Sequence, residues 1–291
     1  MIHRAVAETI TALLEHLEGS RRIAVITGAG CSTRSGIGDY RDEQGAWKRH
    51  PPVQMQEFLH QEPARRRYWA RSMLGWPRIA RARPNAAHVA LAGLEQAGLL
   101  AGLITQNVDG LHQQAGQRQV LELHGTLGIV VCLECGARSD RLTVQQRLEQ
   151  DNTFLLDTPA SAAPDGDADL AGDVDLSDFR VPACGRCGGR LKPDVVFYGD
   201  SVPRQRVARA GELIESADAV LIVGSSLMVF SGFRFCRLAR QLGIPLVAVN
   251  RGRTRADDWL AVKVDADCAE VLPALAAALA GPAASVSRAR A

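Results

Sequence analysis

The chain has 291 residues, of which 46% are hydrophobic and 23% charged, with seven cysteines and a formal net charge of +2. That length holds one α/β core with a smaller attached module, and the apolar fraction excludes an intrinsically disordered chain. So small a net charge excludes a protein-wide electrostatic grip on nucleic acid or a membrane surface, and no apolar run approaches the about 18 residues of a transmembrane helix.

In chain order, Ile10, Leu13, Leu14 and Leu17 recur at helical spacing, and the accompanying Glu8, Glu15 and Glu18 are foreign to a secretory or organellar leader. The start reads as that of a mature cytoplasmic protein, and the Ala- and Arg-rich composition suggests a bacterial one. IAVIT at 23–27 is a short apolar run of the kind buried in a parallel sheet. It leads into Gly28-Ala29-Gly30-Cys31-Ser32, a turn whose glycines let backbone amides approach a pyrophosphate lying on a helix end. Thr33 stands at the third glycine position of a dehydrogenase fingerprint, and Lys48-Arg49-His50-Pro51 replaces the acidic ribose clamp, which disfavours a nicotinamide dehydrogenase. Residues 34–84, rich in Arg, Trp and Pro, form a long excursion with helical fragments, placed to cover a ligand.

A helix is expected over 86–97, behind Pro84-Asn85, and then the strand LITQN at 103–107. Thr105, Gln106, Asn107, Val108 and Asp109 fall at the carboxyl end of that strand, where open α/β sheets bind ligands, and their amide and carboxylate groups suit a carboxamide. Capping of the next turn by Asn107 and Asp109 is an equal alternative. His124, in Glu122-Leu123-His124-Gly125, ends a further apolar strand segment; judged alone, a histidine there is more often structural than catalytic.

Cys132/Cys135 and Cys184/Cys187 sit in CLECG and CGRCG, knuckles that bring four thiolates onto one tetrahedral, structural zinc ion; two separate redox pairs are the alternative. The acidic loop at 164–178 between them reads as a surface insertion that adds little to a core. Cys31, Cys236 and Cys268 read as small packing residues. Helices over 203–217 and 233–242 alternate with the strands VLIVG at 220–224 and PLVAVN at 245–250. The whole is α/β: a doubly wound, parallel, Rossmann-like sheet with a smaller zinc-binding domain inserted. The expected division is 1–130 with 192–281 for the large domain, including the covering segment 34–84, then 131–191 for the small domain and 282–291 for a flexible tail.

GAGCS, GIGDYR at 36–41, TQNVDGLH at 105–112, ELHG at 122–125, the two CxxC pairs, GSSL at 224–227 and VNRG at 249–252 resemble the sirtuin signatures, in sirtuin order, over about residues 5–275. RYWAR at 67–71, GWP at 75–77, APDGD at 163–167 and LKPDVVFYGD at 191–200 are similar to the class II branch that includes the mitochondrial lipoamidase-like sirtuin. The resemblance implies an NAD-dependent lysine deacylase that acts on an acyl-lysine protein or peptide and releases nicotinamide and O-acyl-ADP-ribose. It implies NAD as co-substrate and one structural Zn2+ on the four paired cysteines. His124 would be the general base, with Asn107 and Asp109 holding the nicotinamide. NAD would contact Gly28, Ala29, Gly30, Ser32, Asp39, Tyr40, Arg41, Trp47, Gln106, Val108, Gly224, Ser225, Ser226, Asn250, Arg251, Gly252 and Cys268. The substrate backbone would add as a strand between 195–198 and 230–232.

Cys31 stands where the family generally has Ile, and Gly38 where it generally has Pro, which should loosen the loop over the cofactor. A protein mono-ADP-ribosyltransferase would share the same NAD site. A non-catalytic zinc-ribbon module is a further alternative, although the acidic loop between the knuckles repels nucleic acid. Neither nucleic acid nor membrane is expected as a partner; the acyl preference is open, and of the oligomeric states a monomer is favoured.

Overall fold

The computed structural model describes residues 2–48, 53–171 and 174–281. The tail expected at 282–291 lies outside them, as do residues 49–52 of the basic stretch. Helix α1 (Ile2–Leu17) precedes β1 (Ile23–Thr27), and α2 (Met55–His60) and α3 (Glu62–Arg81) occupy the excursion. Then come α4 (Ala86–Gln96), β2 (Leu100–Thr105), α5 (Leu111–Gln114) and β3 (Val120–Glu122). The inserted part comprises β4 (Gly125–Cys132), β5 (Arg138–Asp140), α6 (Arg141–Asp151), β6 (Ala160–Ala162), β7 (Ala168–Leu170) and β8 (Leu191–Val195). The chain closes with α7 (Arg204–Glu215), β9 (Ala219–Val223), α8 (Phe230–Gln241), β10 (Leu246–Val249), β11 (Val262–Val264) and α9 (Cys268–Ala280).

Among the described residues, six parallel strands form one sheet in the order β11-β10-β9-β1-β2-β3. Every residue of β1, β9 and β10 is buried, because helices cover both faces. Alternate side chains serve opposite layers. Val25, Leu103, Leu221 and Val247 join Leu13 and Leu17 of α1, Leu91 of α4 and Leu272 of α9, whereas Ile26, Ile104 and Ile222 join Ile214 of α7 and Phe235 of α8. β1 lies between β2 and β9, and the chain winds outward from it in both directions. A ligand crevice therefore opens at the carboxyl end of β1. There Gly30 and Gly224 pack backbone to backbone: a Cβ on Gly30 would meet the Gly224 carbonyl oxygen at 2.9 Å, so a larger residue would push β1 and β9 apart.

The expected doubly wound sheet is present, with differences at its margins. α8 begins at Phe230, three residues ahead of the predicted start, and β11 and α9 add an edge strand and a helix that the apolar runs did not mark. β11 is three residues long with Lys263 at its centre, and α9 carries Pro273.

The second sheet is antiparallel, β5-β4-β8. Its apolar side packs Val130 and Leu191 against Val144 and Leu148 of α6, and also against Phe58, Trp69 and Met73 of α2 and α3. The segment expected only to cover a ligand thus shares a core with the inserted sheet. The boundary expected at 131 falls inside β4, a continuous strand that starts directly after His124.

The acidic insertion is more structured than its composition suggests. β6 and β7 make an antiparallel hairpin, and Ala168 is buried. Arg71 of α3 holds the hairpin, donating Nε to Asp167 Oδ1 at 2.9 Å, Nη2 to Asp167 Oδ2 at 2.8 Å and Nη2 to Asp169 Oδ1 at 2.9 Å. Two of the acids are therefore packing partners of a distant arginine. No helix among the described residues is long and apolar enough to cross a membrane.

Candidate active site

The turn after β1 and the ends of β2, β9 and β10 meet the covering segment and β8 around a cavity of about 1110 Å³. Gly28, Ala29, Gly30, Asp39, Tyr40, Arg41, Gln106, Asn107, Val108, His124, Gly224, Ser225, Ser226, Asn250, Arg251 and Cys268 line it. Ser32, Trp47, Asp109 and Gly252, expected as direct contacts, stand one layer behind. Gly252 accepts Asn250 Nδ2 at 3.3 Å, Ser32 accepts Asn107 Nδ2 at 3.1 Å, Asp109 is reached through Ser32, and Trp47 packs on Tyr40 and Arg41.

Asn107 is not a turn cap: its Nδ2 donates to the Gly28 carbonyl at 3.0 Å and to Ser32 Oγ at 3.1 Å. Ser32 Oγ in turn donates to Asp109 Oδ2 at 2.7 Å, while Asp109 Oδ1 accepts the Leu111 amide at 2.9 Å, so Asp109 does cap the following turn. This chain locks the glycine turn to the end of β2. Gln106 extends the lock to β9, donating Nε2 to Ser225 Oγ at 2.7 Å and to the Thr27 carbonyl at 3.2 Å.

His124 sits between the two sheets. Its Nδ1 is 3.0 Å from the Gln106 carbonyl, which can only accept, so Nδ1 carries the proton and Nε2 presents a lone pair. That lone pair accepts the Ser231 hydroxyl at 2.7 Å. Burial pushes the imidazole below the usual histidine range; the Gln106 carbonyl opposes this and the charge of Arg206 adds to it. The ring is therefore neutral and basic at Nε2 near neutral pH. Sequence reasoning did not single out Ser231 or Arg206; Ser231 lay in a segment expected to pair with substrate as a strand. That segment, 230–232, is instead the first turn of α8, and the extended residue is Val229, at φ −80° and ψ 123°.

The opposite wall fits the expectation better. Val195, Val196, Phe197 and Tyr198 line the cavity, and the Val196 amide donates to the His124 carbonyl at 2.8 Å, joining this segment to His124. Trp47 holds the covering loop to it. Its ring lies 5.5 Å from Tyr198 and 6.0 Å from Tyr40, and the Arg41 guanidinium stacks on it at 4.0 Å. Asp39 is paired with Lys48 at 2.5 Å. Val108, Leu127, Tyr68, Ser72, Arg71 and Asp167 also line the cavity.

The four paired cysteines lie at the end of the second sheet, away from the cavity. Cys132 and Cys187 sulfurs are 3.5 Å apart, Cys135 and Cys184 sulfurs 3.8 Å, and all four lie within 4.8 Å of one another. Zinc–sulfur bonds of about 2.3 Å in a tetrahedron require sulfurs about 3.8 Å apart, so this donor set fits one closed zinc site.

The family model described as Sir2 family matches residues 28–231. A protein of Bordetella bronchiseptica named NAD-dependent protein deacetylase is 58% identical over 263 residues, covering 90% of this chain and 96% of its own. One of the same name from Xanthomonas campestris pv. campestris is 56% identical over 268 residues, 92% of this chain and 91% of its own. Among solved structures, Sir2 with a p53 peptide and NAD+ aligns at TM-score 0.71 and 32% identity, over 91% of this chain and 96% of the other.

Proposed function

Since this chain belongs to the Sir2 family, we propose that it is an NAD-dependent protein deacylase in which His124 is the general base and the crevice at β1 holds the dinucleotide. The observation that carries this reading is the fixed tautomer of His124, whose unprotonated Nε2, held by the Ser231 hydroxyl, belongs to a residue that lines the cavity together with 195–198. Bound NAD supplies an electrophilic ribose carbon and nicotinamide as its leaving group. The turn at Gly28 to Gly30, with Ser225, is suited to the pyrophosphate, Asn250 to a ribose and Cys268 to the adenine. Asn107 takes the carboxamide, and Asp109 acts through Ser32 to hold Asn107 in place. His124 takes a proton from a ribose hydroxyl so that this oxygen can attack the acyl carbon, help typically worth about 10² to 10⁴ in rate. The substrate backbone lies against 195–198, and Val229 is the extended residue available on the other side. The enzyme is taken to be a monomer in a bacterial cytoplasm, as its sequence suggests.

The lining of the cavity supports an acyl preference. It is apolar at Val108 and Leu127, and the charge of Arg71, which also lines it, is already matched by Asp167 and Asp169. An acyl chain ending in a carboxylate would find no unmatched cation at Arg71, whereas a longer uncharged chain buries apolar surface. The reading is thus a class II enzyme for neutral acyl groups.

Mass spectrometry of NAD incubated with the protein and acetyl-, succinyl-, glutaryl-, long-chain acyl- and lipoyl-lysine peptides tests both levels. The expected product is O-acyl-ADP-ribose from the neutral peptides, absent with His124→Ala. NAD consumption with ADP-ribose mass gained on protein would replace deacylation by ADP-ribosyl transfer, and faster turnover of succinyl or glutaryl peptides would overturn the acyl preference alone.

A further inference from the structure

Phe230, the first residue of α8, lines the cavity and yet is 45% exposed. Three arginines surround its ring. The guanidinium carbons of Arg234, Arg237 and Arg255 lie 5.3, 5.9 and 5.9 Å from the ring centroid. Arg234 and Arg237 follow Phe230 by four and seven residues, which puts all three on one face of the helix. Arg255 arrives from the loop between β10 and β11, where its Nη1 donates to the Met228 carbonyl at 3.3 Å. No two of these charges are more than about 12 Å apart, close to the range over which salt screens them.

Like charges gathered this closely repel, and nothing in the chain neutralises them. Among the described residues none of the three arginines pairs with a carboxylate. Asp257, the acid nearest to Arg255 in sequence, is taken by Thr254 Oγ1 at 2.6 Å and by Lys263 Nζ at 3.0 Å. An aromatic face attracts a guanidinium and leaves its N–H edge free, so the ring holds the three in place as donors for an anion. The patch adjoins the chemistry: Arg234 also lines the cavity, and Ser231, next to Phe230, bonds His124 Nε2 at 2.7 Å.

We propose that Phe230, Arg234, Arg237 and Arg255 form an acid-recognition surface that holds Asp or Glu side chains flanking the acyl-lysine of a substrate protein. This rests on the cavity being the deacylation site. A substrate extended beside Val229 advances about 3.3 Å per residue, so acids within about four positions of the acyl-lysine come within reach of the arginines. Exposed ion pairs are individually weak; two or three together should give about five- to tenfold in affinity, less as salt rises.

Carboxylates suit the patch better than a phosphate backbone does. It is confined to one helix face and one loop, the 195–204 side of the cavity carries Asp200 as well as Arg204, and the net charge of the chain is only +2. A nucleic acid needs a longer basic track.

The test uses the zinc-loaded protein and fluorescent acetyl-lysine peptides that differ only in their flanking residues, which are acidic, alanine or lysine. Anisotropy reads Kd without turnover, and nicotinamide release reads KM. The acidic peptide should bind about five- to tenfold more tightly than the alanine peptide and the lysine peptide most weakly, with gaps that narrow as salt is raised. Arg237→Glu, at an exposed position, should erase most of this preference, and Arg237→Lys should keep it. Arg237→Glu combined with Arg255→Glu should reverse the order in favour of the lysine peptide, a gain that misfolding cannot produce. Equal affinity for the three peptides, or a loss in Arg237→Glu that is the same for all three, would overturn the proposal. So would a single-stranded oligonucleotide that binds more tightly than the acidic peptide and is released by Arg237→Glu. If no acyl peptide is turned over while the charge order of binding persists, the deacylase reading falls and the surface stands; turnover without a charge order removes the surface and leaves that reading.

Discussion

His124 can serve as a base only because its two neighbours decide where its proton sits, and that dependence yields two expectations at the scale of single residues. His124→Ala should remove acyl transfer while leaving melting temperature and zinc content unchanged; loss of zinc with the activity would make the residue structural. Because burial and Arg206 lower its pKa, the acid limb of kcat/KM should lie below the usual histidine range. Arg206→Gln removes a charge that disfavours the imidazolium, so its limb should move to higher pH, and identical limbs would exclude this electrostatic coupling. His112 gives a stability prediction of the same kind. Burial, with His88 adding to it, lowers its pKa to about 3 from an ordinary 6.5. Below pH 6.5 the unfolded chain binds a proton that the folded chain refuses, so stability falls progressively from about pH 6.5 toward pH 3, by up to a few kcal/mol. His112 Nε2 must donate to Thr27 Oγ1, since that hydroxyl spends its own hydrogen on Thr105 Oγ1. His112→Gln can keep such a donor without the titration. Urea midpoints of the variant should therefore change less than those of the parent between pH 6.5 and 4, and parallel curves would defeat the assignment. The site was legible in the sequence where its residues share a local motif, as Gln106, Asn107 and Asp109 do. Ser231 and Arg206 reach His124 only through folding, and no local pattern marks a serine on the first turn of a helix as the partner of a distant imidazole.

Whole elements were legible where burial is total. β1, β9 and β10 are unbroken apolar runs because both of their faces are covered. The β6–β7 hairpin was hidden by its composition: Asp167 and Asp169 look like solvent-facing acids until Arg71 is brought to them from α3. The allegiance of α2 and α3 was hidden for a related reason, since helical periodicity marks an apolar stripe but not the sheet that receives it. Freeing Arg71 tests the role of this hairpin. Asp167→Asn removes one charge from the bidentate pair, and with the pair only partly buried the stability loss should be about 1 kcal/mol. Its larger effect should be on selectivity: the ratio of glutaryl- to acetyl-peptide turnover should rise severalfold. An unchanged ratio would mean that the acyl chain never reaches Arg71.

At the scale of the molecule, His124 stands between two sheets stabilised by different means. The six-stranded sheet has two apolar layers, whereas the three-stranded one relies on a single core and the thiolate cluster at its far end. β4 leaves His124 at one end and reaches Cys132 at the other, and β8 returns from beside the knuckles to Val195, with the neighbouring Val196 amide bonded to the His124 carbonyl. Zinc thus fixes both strands that carry the active-site wall, although it touches nothing in the cavity. Structural zinc sites of this kind couple binding to folding, so metal removal should loosen this unit ahead of the Rossmann-like sheet. Chelation, or Cys132→Ser or Cys184→Ser, should lower kcat by at least tenfold and abolish peptide binding, while NAD binding, held mainly by loops of the larger sheet, should weaken less. Restoring zinc should recover the chelated parent but not the variants. Calorimetry with NAD and with peptide separates the two effects: equal loss of both would mean that the sheets unfold as one unit, and retained turnover without metal would show that the zinc does not hold the wall beside His124.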